Sequence, residues 1–202
     1  MQVKNLQTQK GFTLVEIAIV LVIIGLLLGG VLKGQELITN AKIKAVTSDF
    51  DNISAAYYAF QDRTGDVPGD AAAAGGATDG QIANDDAFWF DLKTEGFISG
   101  ELGAIGDSDG PAHDLSGVWS ATAGGVTAAD VFATNYICAS NIPESFAAGI
   151  DGKLDDGVAS TGSIRTLNGT GAAAPAAGTA AQLVSQDYLA TSEVLISLCK
   201  TL

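Results

Sequence analysis

Residues 12–32, FTLVEIAIVLVIIGLLLGGVL, are an apolar run of 21 residues broken by one ionisable side chain, Glu16. As a helix rising 1.5 Å per residue, the run covers roughly 30 Å, the thickness of a bilayer's hydrocarbon core. It therefore reads as a membrane-spanning helix. The residues ahead of it carry Lys4 and Lys10 and no acid. By the positive-inside bias this keeps the N-terminus in the cytoplasm and sends the remainder outside. An ordinary secretory signal has a shorter apolar region followed by an A-x-A-like cleavage site, and neither feature is present.

The remainder is long enough to fold. The chain has 202 residues and is 47% apolar, which argues against disorder. Its formal charge of −13 is unevenly spread: residues 1–60 hold 5 basic and 4 acidic side chains, residues 61–202 hold 5 and 19. So acidic a surface repels phosphate backbones, and no nucleic-acid partner is expected. One His and two Cys leave little material for a zinc site or a Cys/His nucleophile. Walker A, dinucleotide-binding and G-x-S-x-G patterns are all missing.

Glu16 is expensive where it stands, at about 2.5 to 3.5 kcal/mol for a charge at bilayer depth and less near the interface. From residue types alone, its carboxylate either snorkels to the headgroups or has a partner. Lys10-Gly11-Phe12-Thr13-Leu14-Val15-Glu16, followed by sixteen more apolar residues, resembles the prepilin signature of type IV pilins and of the pseudopilins of type II secretion. That resemblance implies a leader, residues 1–11, removed by a prepilin peptidase after Gly11, with methylation of the new amino group on Phe12. It implies that Glu16 meets the N-terminal ammonium of a neighbouring subunit during assembly. The partners implied are identical or related subunits, the peptidase and an inner-membrane assembly machinery. The location implied is the bacterial inner membrane and then a cell-surface pilus or a periplasmic pseudopilus. One departure is Lys33, at a position where many pilins carry a helix-loosening proline.

Beyond the span, Ile43, Val46, Phe50, Ile53, Tyr57 and Phe60 recur at intervals of three and four, an apolar stripe of helical period. The spacing predicts one helix over 12–60, with 12–32 in the membrane and the stripe packed on the protein's own acidic head, residues 61–202. A seam with neighbouring helices is the competing use of the stripe. Gly65, Pro68 and Gly69 end the helix, and the Ala/Gly-rich stretch 71–80 reads as a surface loop. Asp85 and Asp86 before an aromatic run, with Gly96 after it, frame a short helix in which Trp89 is core. Residues 135–139, 163–167 and 194–199 are β-type runs, and a helix is expected from Pro143 to about Ile150. The fold class is α+β: a long N-terminal helix against a small antiparallel sheet, pilin-like.

Cys138 and Cys199 lie in the part assigned outside the cytoplasm, where disulfides persist, and pilins often close their C-terminal region with one. A bridge is favoured over two buried thiols. No cofactor is expected. Three Asp/Gly loops are weak calcium candidates, at 66–70, 106–110 and 151–157, the last offering Asp151, Asp155 and Asp156. None completes an EF-hand pattern, and Asp-bonded turns are the favoured reading. His113 beside Asp114 is read as a surface loop residue. The expected function is a structural filament subunit and not an enzyme. Its alternatives are a secretion pseudopilin, a non-polymerising single-span protein with an outside binding domain, and a hydrolase using His113.

Overall fold

The computed structural model describes residues 11, 13–70, 79–100, 110–124, 132–167, 188 and 194–202. They form two compact units, residues 1–41 and 42–202. Helix α1 spans Leu14–Thr64, one turn beyond the expected end near Phe60. Thr64 Oγ1 donates to the Phe60 carbonyl and the Gly65 N–H to that of Gln61, so the last turn is closed before Gly65, at a φ of +83°, turns the chain away.

In the first unit the helix over 14–32 is apolar on every side apart from Glu16 and exposed along its length: Leu14 is 86% accessible, Leu26 74% and Val22 69%. A window of mean hydropathy 2.8 makes it long and apolar enough to cross a membrane.

In the second unit the stripe predicted from periodicity is the buried face of α1, with Ile43, Val46, Phe50, Ile53, Ala56, Tyr57 and Phe60 all inside. They share one core with Trp119, Ala121, Ile137, Ala139, Ile142, Ile164, Ile196 and Leu198 from a four-stranded sheet. The stripe thus packs on its own head. The strands are β1 (Trp119–Thr122), β2 (Tyr136–Pro143), β3 (Ile164–Leu167) and β4 (Leu195–Thr201), all antiparallel in the order β1-β2-β4-β3. The three expected strands are present, and β1 is an addition. Alternation sends Ile137, Ala139, Ile196 and Leu198 toward α1. Tyr136, Cys138, Cys199 and Leu167 go to the opposite face, where they join Phe132 in a smaller cluster. Cys138 and Cys199 stand directly opposite in the β2/β4 register and are disulfide-bonded, closing 61 residues of chain.

Helix α2, Asp85–Thr94, is capped by Asn84, whose side chain accepts from the N–H groups of Asp86 and Ala87. Ala87, Phe88, Trp89 and Leu92 are its buried residues, as the core reading of Trp89 requires. Asp85 Oδ1 accepts from Trp89 Nε1 at 2.8 Å and from the Ala121 N–H at 2.6 Å, which ties α2 to β1. Helix α3, Glu144–Leu154, runs one turn further than expected. Pro143 is not in its first turn: it closes β2 and takes the N-cap position, its ring nitrogen having no hydrogen to leave unpaired. Of the expected surface loop 71–80, residues 71–78 lie outside the described residues.

Candidate functional site

The segment that carries the assembly expectation begins at Gly11 and Thr13; Phe12 and the leader residues 1–10 lie outside the described residues. Thr13 is the N-cap of α1 and Glu16 its third residue, the S/T-x-x-E spacing of a capping box. The Glu16 N–H donates to Thr13 Oγ1 at 3.3 Å. In return Glu16 Oε2 accepts from the Thr13 N–H at 2.8 Å and from Thr13 Oγ1 at 2.7 Å. Two otherwise orphaned helix-start donors are thereby satisfied within the chain. The signal stands in the sequence as Thr13-Leu14-Val15-Glu16, and the partner of Glu16 within the chain is a hydroxyl and an amide rather than a cation. The next charges along α1 are Lys33 and Glu36, bonded to each other at 2.8 Å and both exposed.

Residues 6–32 match the prokaryotic N-terminal methylation motif, the signature of type IV pilins and pseudopilins. That signature belongs to a family of structural subunits rather than of enzymes. No curated protein and no solved structure matches the chain. The motif, the long apolar helix and the Cys138–Cys199 disulfide together fit a pilin-like or pseudopilin subunit.

The expectation for His113 is overturned. It is buried, packed edge-on to Trp119 at 5.6 Å between ring centroids. Its Nδ1 accepts from the Leu115 N–H at 3.2 Å, so Nε2 carries the hydrogen and donates to the Ser140 carbonyl at 2.8 Å. Loss of solvation holds its pKa below the usual imidazole value, against the pull of Ser140 and of Asp114. With both ring nitrogens committed to the backbone, the imidazole anchors the 111–118 loop to the irregular end of β2. It has no free nitrogen with which to take a proton from a substrate.

The carboxylates of Asp151, Asp155 and Asp156 each bring an oxygen within 4.8 Å of the others. Each also serves its own loop. Asp151, buried in α3, accepts from Tyr188 Oη at 2.7 Å and from the Gly157 N–H at 3.3 Å. Asp155 accepts from the N–H groups of Ser163 and Ile164, and Asp156 from Thr161 Oγ1 and the Val158 N–H. Desolvation raises the pKa of Asp151 despite the Tyr188 bond, and it raises that of Tyr188. These bonds close the turn that leads from α3 into β3. In the first candidate loop Asp70 is likewise occupied, accepting from the N–H groups of Asp79 and Gly80. Of the 106–110 loop, only Gly110 falls among the described residues.

Proposed function

We propose that the chain is a structural subunit of a type IV pilus-like filament. In this reading it enters the inner membrane as a prepilin and is cut after Gly11. It is then methylated on the amino group of Phe12 and polymerises with copies of itself through α1. The observation that carries the reading is that the methylation motif and a helix exposed and apolar on every side occupy the same residues. Such a surface needs a partner: lipid before assembly and the α1 helices of neighbouring copies afterwards. Lipid tails and leucine side chains are about equally apolar, so the exchange brings little hydrophobic gain. Packing and polar contacts must then decide register. Glu16 supplies the polar contact, its carboxylate meeting the Phe12 ammonium of the next copy, and a buried ion pair specifies register even where its net stabilisation is small. The disulfide supports an extracytoplasmic head.

Intact mass and N-terminal sequencing of protein from sheared cell-surface and membrane fractions test the reading. The expected chain starts at Phe12, carries one added methyl group and is found in the sheared fraction. A chain starting at Met1 and confined to the membrane would mean a non-polymerising anchor. Glu16→Ala is expected to lower filament yield at least tenfold, about the loss of a 1.4 kcal/mol contact, with membrane insertion unchanged. Normal filaments from that variant would remove Glu16 from assembly.

A further inference from the structure

Both bonds from Thr13 converge on one oxygen of Glu16, Oε2, while Oε1 makes none among the described residues. One hydroxyl does two things there, donating to the carboxylate and accepting from the Glu16 N–H. We propose that Thr13 is a positioning residue for assembly: it holds the Glu16 side chain in one rotamer and presents Oε1 to the cationic group of an incoming copy. The inference rests on the reading of Glu16 as an assembly contact.

A free glutamate side chain has many rotamers, and ordering it at the moment of contact weakens the contact. Here that ordering is done within the subunit beforehand. The same two bonds partly replace the water a carboxylate loses on entering a bilayer, so Thr13 also lowers the cost of Glu16 before assembly. The surroundings offer little else, since the helix beside Glu16 presents Ile17, Ile19 and Val20. The arrangement survives cleavage after Gly11, because the Thr13 N–H belongs to the Phe12–Thr13 peptide, which stays intact.

The experiment uses the full chain in a filament-forming cell and compares Thr13→Val, Thr13→Ser, Thr13→Asp and Glu16→Ala. The readout is filament in the sheared fraction relative to subunit in the membrane that has been cut and methylated, as judged by intact mass. Thr13→Val is isosteric and lacks the hydroxyl; it is expected to lower the ratio roughly fivefold, the equilibrium effect of losing an N-cap hydrogen bond. Thr13→Ser is expected to stay within about twofold of the unaltered chain, since serine supplies the same donor and acceptor. Thr13→Asp caps a helix start well but repels the Glu16 carboxylate, and is expected to fail as Thr13→Val does. Normal assembly of Thr13→Val overturns the proposal, as does failure of Thr13→Ser. Normal assembly of Thr13→Asp reduces Thr13 to a helix cap, and an uncut Thr13→Val subunit moves the hydroxyl's role to the peptidase; either result overturns it. If Glu16→Ala assembles normally, the reading of Glu16 fails as well, an outcome distinct from failure of Thr13→Val alone.

Discussion

Burial decides what His113 does, and it gives the residue a pH dependence of definite sign. The folded imidazole binds a proton less readily than the unfolded one. Its contribution is therefore whole above the unfolded pKa of about 6.5 and is lost as pH falls from there toward the folded value. Asp49, Asp91 and Asp151 are shifted upward, chiefly by desolvation, and act in the opposite sense. They favour the folded state at low pH and cost stability as pH rises from the ordinary carboxylate value through their folded values. The His113 part is isolated by difference. His113→Gln is expected to make the change of Tm from pH 5 to pH 7 less positive, followed by near-ultraviolet circular dichroism, and an unchanged slope would refute the assignment. Nothing in Pro111-Ala112-His113-Asp114 announces this role. What buries His113 is Trp119 and the Ser140 carbonyl, 27 residues away in sequence, and only the fold supplies them. Glu16 is the reverse case: its partner lay three residues upstream and was legible as a capping box.

The elements divide along similar lines. Over residues 43–60, helix α1 was readable because its apolar positions keep a 3.6-residue period over five turns and face one core. The strands β2, β3 and β4 are runs rich in branched and apolar residues, bounded by Gly, Asn and Asp, and were readable for that reason. Strand β1, Trp119-Ser120-Ala121-Thr122, was not. Four residues with two hydroxyls between glycines look like a loop, and only pairing with β2 makes them a strand. Its neighbour Gly117 is set so closely against β2 that a Cβ there would overlap the Ser140 carbonyl oxygen and crowd His113 Nε2. Gly117→Ala is accordingly expected to destabilise the head by about 1–3 kcal/mol, the usual range for overpacking. Thermal or urea unfolding measures it, and a loss under 0.5 kcal/mol would show that the loop yields freely.

At the scale of the whole molecule, the buried residues of the main core all lie at Ile43 or beyond. A fragment covering 42–202 retains every one of them and is expected to be soluble and to unfold cooperatively. A fragment starting at residue 54 lacks Ile43, Val46, Phe50 and Ile53, and is expected to show no cooperative transition in a calorimeter. Failure of the longer fragment would mean that the head depends on the apolar half of α1. The division into an apolar first part and an acidic remainder was legible from composition alone; the strand order was not, because pairing is set by contacts distant in sequence. That order has a consequence in time. The last strand in the chain, β4, lies between β2 and β3 and is the seam that joins them. Synthesis delivers a chain from its beginning, so the sheet stays incomplete until residues 195–201 have been made. Until then β2 and β3 lack the strand that stands between them, and Cys138 lacks its partner Cys199.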